Sequence, residues 1–189
     1  MNIVVKSLIG IFTIIDGKIY LLGDKLINIT CTDIVEKENT KYINKYFNID
    51  NLDLKQCYTF SEKKDNELVI SILYMDIINY SNIKDKNVLY MPITDLDSDI
   101  YVNKIIDSLR KYMVLNSTIK KLYPNEFVLP EIQKIYEDLL GKKFDRRNFR
   151  KKLIKLDIIE DLDKMSDNKK GRPAKLYKFK EIIEDKSLF

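Results

Sequence analysis

The sequence has no histidine among its 189 residues, and this absence excludes several kinds of site. Without an imidazole, the chain cannot form a Ser-His-Asp or Cys-His catalytic group, a zinc site with histidine ligands, or a histidine pH switch. Cysteine is nearly as scarce, since only Cys31 and Cys57 are present. Two thiols are too few for a zinc cluster or a disulfide framework. One disulfide between them stays open, and free thiols in a reducing compartment are the favoured prediction.

Long hydrophobic runs are also missing. The N-terminal apolar stretch, residues 8–15, is eight residues long and has charged residues close to both ends. A helix that crosses a bilayer needs about 20 apolar residues. No small-residue cleavage site follows the stretch, so it does not have the pattern of a signal peptide. We therefore expect a cytoplasmic protein.

Charge is unevenly distributed along the chain. The formal net charge is +4, but residues 1–112 hold 14 basic and 16 acidic side chains, whereas residues 113–189 hold 19 and 13. Such asymmetry is typical of a neutral or acidic domain joined to a domain that binds a polyanion. The sequence therefore predicts two domains, residues 1–113 and residues 114–189.

The first half has the pattern of a mixed α/β domain. Residues 2–23 predict a β-hairpin, because a β-branched run is followed by the turn pair Asp16-Gly17 and a second apolar run. The elements predicted after it are a helix, a strand pair, a short strand and a closing helix, at residues 34–47, 55–61 with 67–78, 88–91 and 99–113. Strands interrupted and closed by helices form a domain of about 110 residues in this class.

The second half begins with the pattern of a helix-turn-helix. A short helix is predicted at residues 118–122, and Pro130 with Glu131 is typical of the first turn of the next helix. That helix carries an apolar stripe at helical spacing, and Gly141 is a typical residue for its C-terminal cap. The stripe consists of Ile132, Ile135, Tyr136 and Leu139.

The helix that follows is unusually basic. Residues 142–152 contain seven basic side chains and one acid, Asp145, which is placed to cap the helix N-terminus. Phe149 and Leu153 recur at helical spacing and predict a buried face, and at about 100° per residue Arg147 lies nearly opposite. One face that packs and another that presents cations is the arrangement of a recognition helix in a major groove.

The basic residues fall into three expected roles. The first turn of the helix is best placed for base edges, because arginine reads guanine and asparagine reads adenine. Flanking lysines and arginines contact phosphates, and two strands at residues 158–160 and 175–179 enclose a basic wing loop, residues 161–173. The predicted DNA-binding residues are Lys142, Lys143, Arg146, Arg147, Asn148, Arg150, Lys151, Lys169, Lys170 and Arg172. The alternatives are a solvated charged helix and a surface loop without a ligand.

Three segments carry a resemblance to a known family. EFVLPEIQKIYE, DRRNFRKKL and GRPAKLYKF resemble the C-terminal winged-helix domain of the bacterial Nudix-related transcriptional regulators. The resemblance covers about residues 117–180, and in that family a Nudix-like domain precedes the winged helix. It implies a homodimer on palindromic operator DNA, regulated by a metabolite such as an ADP-ribose-like compound or a sugar. The implied fold class is an N-terminal Nudix-like mixed α/β domain followed by an α+β winged helix-turn-helix domain.

The first half also resembles the Nudix fold, but the residues of the Nudix box have changed. Aligned on its helix, the box falls on Ile27, Asp33, Lys41, Tyr42, Ile43, Lys45, Tyr46, Asn48 and Ile49, so the helix supplies none of the usual carboxylates. Nudix hydrolysis requires carboxylates that hold divalent cations, which activate water and neutralise phosphate charge. We therefore expect no enzymatic activity, no metal and no cofactor.

Several alternatives remain at this point. Tyr42 and Tyr46 lie four residues apart on one helix face, where they could form a ligand pocket or pack as ordinary core residues. The first domain could sense a ligand or serve only for dimerisation. The leading prediction for the whole chain is a transcriptional repressor of a metabolic operon. The alternatives are a hydrolase with atypical metal ligands, drawn from Asp33, Glu36 and Glu38, and an architectural protein that binds DNA without sequence preference.

Overall fold

The computed structural model describes residues 2–49, 52–85, 87–114, 117–123, 125–166 and 173–181. These residues form two compact units. The first comprises the described residues within 1–13 and 20–109, and the second comprises residues 14–19 and the described residues from 110 onwards. No helix in the described ranges is both long and apolar enough to span a bilayer.

A mixed β-sheet organises the first unit. Its strands are β1 (Asn2–Ile15), β2 (Lys18–Leu22), β3 (Ile27–Cys31), β4 (Lys55–Lys64), β5 (Glu67–Ile78) and β6 (Tyr90–Pro92). Their order is β4-β5-β1-β2-β6, and β3 pairs with β1. β1 runs parallel to β5 and antiparallel to β3, so the long first strand lies inside the sheet. Most of its residues are apolar, and residues 7–13 are buried.

The turn between β1 and β2 confirms the hairpin prediction. Asp16 has φ of 51° and Gly17 has φ of 75°. A two-residue hairpin turn with positive φ at both positions matches the right-handed twist of its strands, and it favours the Asp-Gly pair. The tip of this hairpin, residues 14–19, belongs to the second unit. There the carboxylate of Asp138 accepts a hydrogen bond from the Ile19 N–H at 2.9 Å.

The helix α1 (Val35–Phe47) covers one part of the sheet in the first unit. Ile43 is fully buried and belongs to a core cluster with Ile9, Ile11 and Tyr74. The helix ends at Asn48, which has the left-handed conformation that short amide side chains tolerate. The predicted helix is confirmed, and its polar face remains exposed as the helical pattern requires.

Two features of the first unit differ from the prediction. β3 was not predicted, although its alternation of apolar and polar residues is a strand signal. Its residues are half-buried or exposed, so the hydrophobic contrast is weak. The turn between β4 and β5 is shorter than predicted, because β4 continues to Lys64 and Asp65 adopts φ of 50°.

The second unit is a winged helix-turn-helix. Its elements are the last residues of α2 (Ile100–Val114), then α3 (Ser117–Leu122), β7 (Phe127–Val128), α4 (Leu129–Leu140), α5 (Arg146–Lys155), β8 (Ile159–Met165) and β9 (Lys175–Phe179). The three strands form a sheet of order β7-β9-β8. Tyr136 is fully buried in α4, and its hydroxyl donates a hydrogen bond to the carbonyl of Met113 at 3.2 Å.

The predicted wing loop is wrong over residues 161–165, which belong to β8. The Lys175 ammonium lies 2.9 Å from the Asp161 carboxylate and 3.7 Å from that of Asp163, so the lysine of one strand pairs with acids of the other. The ladder is irregular between Asp161 and Met165, and Asp163 has φ of 51°. The sequence pattern of residues 161–165 predicts a loop because the segment is acidic. In the structure, pairing with Lys175 of β9 holds this segment in a bulged strand.

Ile43→Ala tests the core of the first unit. We expect the free energy of unfolding to fall by about 2–5 kcal/mol, because a fully buried isoleucine side chain is replaced by a cavity. Urea unfolding measures this change. The neighbouring exposed residue provides the control, since Asn44→Ala is expected to change stability by less than about 0.5 kcal/mol. Equal effects of the two substitutions would contradict the packing of α1.

Candidate nucleic-acid interface and ligand cavity

The helix α5 is fixed to the second unit by a cap and an apolar face. The Asp145 carboxylate accepts a hydrogen bond from the Asn148 N–H at 2.9 Å, which is the predicted N-terminal cap. Phe149 and Leu153 are 3% and 1% exposed, and the Phe149 ring packs near those of Tyr136 and Phe144. The orientation of α5 about its own axis is therefore set by burial.

Exposed side chains of α5 and of the preceding turn form a surface that we call the basic face. All its members are exposed, and they are Lys142, Lys143, Arg146, Arg147, Asn148, Arg150 and Lys151. The structure thus brings together every predicted DNA-binding residue of the helix and turn. The predicted wing residues Lys169, Lys170 and Arg172 lie outside the described residues.

The turn between α4 and α5 is held by two side chains that the sequence analysis missed. The Gln133 amide nitrogen donates to the Phe144 carbonyl at 2.9 Å and to the Glu137 carboxylate at 2.8 Å. The same carboxylate accepts from the Phe144 N–H at 3.0 Å and from the Lys143 ammonium at 2.8 Å. We call Gln133 and Glu137 the turn clamp. Their spacing of four residues on one helix face is the signal that could have found them.

The turn clamp depends on an ionised carboxylate. Hydrogen bonds from Gln133, from Lys143 and from the Phe144 backbone lower the pKa of Glu137 to about 2. The Glu137 side chain is only 12% exposed, whereas that of Lys143 is 88% exposed. The carboxylate therefore sits against the protein surface while the lysine stem reaches out from the turn and remains on the basic face.

The first unit contains a cavity of about 760 Å³. This volume is within the usual range for small-molecule sites. Tyr42 and Tyr46 of α1 line it, and their rings stack with centroids 4.3 Å apart and an interplanar angle of 30°. The structure thus places both residues of the predicted pocket in the wall of the same cavity.

The charged part of the cavity lining is mostly acidic. It contains Asp24, Asp97 and Asp99 but one basic residue, Lys25. One oxygen of Asp99 accepts hydrogen bonds from the N–H groups of Tyr101 and Val102, both at 2.7 Å, at the start of α2. Sequence reasoning missed these four residues, because they come from segments that are far from Tyr42 in the chain.

The atypical metal ligands proposed from the sequence lie elsewhere. Asp33, Glu36 and Glu38 are not part of the cavity lining, and the Glu38 carboxylate accepts hydrogen bonds from the Thr32 N–H at 2.8 Å and its hydroxyl at 3.0 Å. The Thr32 N–H lowers the pKa of Glu38. Within the described ranges, no three Asp, Glu, Cys or His side chains are grouped so that they could hold a metal ion. Cys31 and Cys57 are both free.

Comparison with known proteins gives matches in sequence and in structure. Residues 119–179 match the family model of the NrtR DNA-binding winged helix domain. The ADPR responsive transcriptional repressor NtrR of Acinetobacter baylyi is 40% identical to this chain over 58 residues. That alignment spans 31% of this chain and 23% of the relative's length.

Solved structures share the fold of nearly the whole chain. The crystal structure of Shewanella oneidensis NrtR complexed with a 27mer DNA has a TM-score of 0.69 at 18% identity and covers 93% of each chain. A second crystal structure of the same protein has a TM-score of 0.63 at 18% identity, over 93% of this chain and 94% of that one. A MutT/nudix family protein from Enterococcus faecalis has a TM-score of 0.62 at 13% identity, over 95% and 87% of the two chains.

The class of protein follows from these comparisons together with the geometry. The fold is a Nudix-like mixed α/β domain joined to a winged helix-turn-helix domain, so the predicted fold class is confirmed. The winged helix carries the sequence signature of one family, and the whole chain has the fold of solved proteins that bear that family's name. Residues 119–179 therefore match the DNA-binding winged helix domain of NrtR, as the sequence resemblance predicts for this part of the chain, and the fold of the chain is that of the solved NrtR structures.

Glu137→Gln tests the turn clamp through pH. The folded-state pKa lies below the ordinary value of 4.5, so the stability contributed by the carboxylate is fully present above about pH 4.5 and is lost as pH falls toward 2. We expect the variant to unfold at lower urea concentration than the wild type at about pH 6. We expect the difference to shrink at about pH 3. A difference that stays constant between these pH values would contradict the assigned role of the carboxylate.

Proposed function

We propose that this chain is a DNA-binding transcriptional repressor whose helix α5 enters the major groove of operator DNA. The observation that carries the proposal is the basic face, which is exposed while Phe149 and Leu153 of the same helix are buried, in a domain that matches a DNA-binding winged-helix family. Duplex DNA carries about one negative charge per 1.7 Å of its axis. The closely spaced positive charges of the basic face therefore bind it favourably, because they neutralise phosphates and release counterions. The name of the Acinetobacter relative, a transcriptional repressor, supports the same function.

The residues of the basic face have distinct roles in this proposal. Arg146, Arg147 and Asn148 occupy the first turn of α5 and read base edges. Lys142, Lys143, Arg150 and Lys151 contact phosphates, which adds affinity without sequence information. The turn clamp holds Lys143 beside Glu137 and sets the angle at which α5 leaves the turn. Lys169, Lys170 and Arg172 contact the backbone from the wing.

The first domain, residues 1–113, has two proposed roles. It dimerises, so that two winged-helix domains, each at residues 114–189, bind a palindromic operator. It also binds a small effector in the cavity beside Tyr42 and Tyr46, and this binding changes the affinity for DNA. Such an effect requires different ligand affinities for the DNA-bound and free states. The cavity and the "ADPR responsive" name of the relative support an effector.

We propose that the first domain is not a hydrolase. The relatives found by comparison include a repressor and a DNA complex, which supports a role outside catalysis. The divalent cations of Nudix hydrolysis need oxygen ligands with negative charge. The side chains at the box positions are instead two phenols, Tyr42 and Tyr46, and the ammonium of Lys45, which do not fit such a cation. A magnesium-dependent turnover assay with ADP-ribose and NADH tests the alternative, a hydrolase that uses Asp33, Glu36 and Glu38.

Fluorescence anisotropy with the chain's own upstream intergenic DNA tests the repressor proposal. We expect at least about a thousandfold preference for this duplex over a scrambled one at physiological salt, because specific regulators exceed their non-specific binding by this factor or more. Equal affinity for the two duplexes with a steep salt dependence would favour the architectural alternative.

Substitutions in α5 distinguish base reading from charge. Arg147→Ala and Asn148→Ala are each expected to weaken operator binding by about 1–3 kcal/mol and to relax sequence preference at one position. Lys142→Ala is expected to weaken binding to all sequences alike and to reduce the salt slope. Lys63→Ala is the matched control, since it removes the same charge from an exposed strand of the first unit. Unchanged specificity in both α5 variants would remove this helix from base reading.

A further inference from the structure

The tip of the β1–β2 hairpin is part of the second unit, although its strands lie mainly in the first. Residues 14–19 group with the second unit, whereas the described residues within 1–13 and 20–109 form the first. Ile19 of the tip is fully buried. The helix α2 enters the second unit because the chain has to continue there, but chain connectivity does not require the hairpin to do so. Specific contacts therefore have to hold the tip in this unit.

Two side chains of α4 hold the hairpin tip. The Asp138 carboxylate accepts a hydrogen bond from the Ile19 N–H at 2.9 Å, and the Lys134 ammonium donates one to the Asp16 carbonyl. The stem of Lys134 lies so close to the turn that a methyl group added at Gly17 would be 2.7 Å from the lysine Cδ atom. Lys134 and Asp138 are four residues apart, so they lie on one side of α4.

The same helix holds the turn that leads to α5. Each residue of the turn clamp, Gln133 and Glu137, precedes one of the pair Lys134 and Asp138, which places the two pairs about 100° apart around the helix axis. The hairpin contacts, the turn clamp and the buried apolar stripe thus occupy three different sides of α4. Because a packed helix moves as a rigid element, a displacement of the hairpin tip shifts the turn clamp and the start of the basic face.

The strand β2 connects these contacts to the cavity of the first unit. It has five residues, and within it Ile19 donates to Asp138 while Leu22 lines the cavity. The three-residue step from Ile19 to Leu22 covers about 10 Å along the strand. β2 lies between β1 and β6, so it is hydrogen-bonded to a neighbour on both sides. A change in the cavity wall therefore has a short path through ordered backbone to α4.

We infer that Lys134 and Asp138 are positioning residues for DNA reading, and that the β1–β2 hairpin is the element through which the first domain acts on the basic face. A change at the cavity moves β2, the hairpin tip passes this movement to α4, and the turn clamp passes it to α5. The inference rests on the proposed function, in which the basic face reads operator DNA and the cavity holds an effector.

Hydrogen exchange of the full chain, measured by mass spectrometry without DNA or ligand, tests the hold of the hairpin on α5. Lys134→Ala combined with Asp138→Ala leaves the net charge unchanged, and we expect it to raise amide exchange in residues 141–148 by about tenfold. Asp138→Asn keeps an acceptor oxygen for the Ile19 N–H, so this variant is expected to exchange like the wild type. Unchanged exchange in the double variant would overturn the inference.

Glu160→Ala combined with Lys178→Ala is the matched control. It removes another pair of opposite charges, 3.5 Å apart on β8 and β9 of the same unit, and it is expected to leave exchange in residues 141–148 unchanged. Urea unfolding compares the stability of the two double variants. If both variants raise exchange in this segment equally, the effect is a general loss of stability and the inference fails.

A substitution in the cavity wall tests the path through β2. Leu22→Val changes a buried side chain of β2, and Ile43→Val makes a comparable change in α1, outside the cavity lining. We expect Leu22→Val, but not Ile43→Val, to change exchange in residues 141–148. We expect this change to vanish when Lys134 and Asp138 are also replaced by alanine, because coupled residues are non-additive. No effect of Leu22→Val, or an effect that persists without the two side chains, would overturn the inference.

Operator binding separates this inference from the proposed function. Lys134→Ala combined with Asp138→Ala is expected to lower the preference for operator over scrambled duplex by about tenfold or more, because the basic face loses its orientation. The affinity for scrambled duplex and the salt slope are expected to stay unchanged, because no net charge is lost. A wild-type chain without operator preference would overturn the proposed function and the DNA-reading role together. Equal preference in the wild type and the double variant would overturn only the role of the two residues.

Discussion

The burial of Phe149 and Leu153 is the interaction on which the basic face depends. A helix of ten residues with six basic side chains repels itself and has little reason to form alone. Burying one apolar face against α4 offsets that repulsion and directs the cations into solvent. Asp145 adds a cap at the N-terminus, where a negative charge is favourable. The basic face is therefore a consequence of core packing, because the cations occupy the positions that the core does not use.

The turn clamp adds direction to this arrangement. Gln133 and Glu137 bond both backbone polar groups of Phe144, so the chain entering α5 cannot swing freely about the turn. A cation on a freely moving turn would still attract DNA. It would contribute little to reading bases, because a side chain that reads a base must be held within about 0.5 Å of its hydrogen-bonding position. In our proposal, the two polar side chains of the turn clamp do not contact DNA themselves. They fix the orientation of the basic face, which attracts DNA by its charge. The low pKa of Glu137 reflects how completely its carboxylate is engaged.

In the first unit, our proposal assigns a Nudix-like fold to a function other than hydrolysis, and the difference depends on a few side chains. In the proposed alignment with the Nudix box, the positions of the cation-binding carboxylates fall on α1 and hold Tyr42, Lys45 and Tyr46. The apolar positions of the same helix, such as Ile43, remain in the core. Because the two sets of positions face in different directions on a helix, the wall of the cavity can change while the packing of α1 on the sheet is retained.

Features that depend on local patterns could be predicted from the sequence alone. Periodicity and capping residues located α1, α4 and α5, and Asp16-Gly17 located the hairpin turn, because helices and tight turns are specified within a few residues of chain. The basic face could also be predicted, since it lies on a single helix and turn. β3, the full length of β8, the turn clamp and the acidic lining of the cavity were decided by tertiary structure. Each of these requires segments distant in the chain to meet, and no local pattern records which distant residue will become a partner.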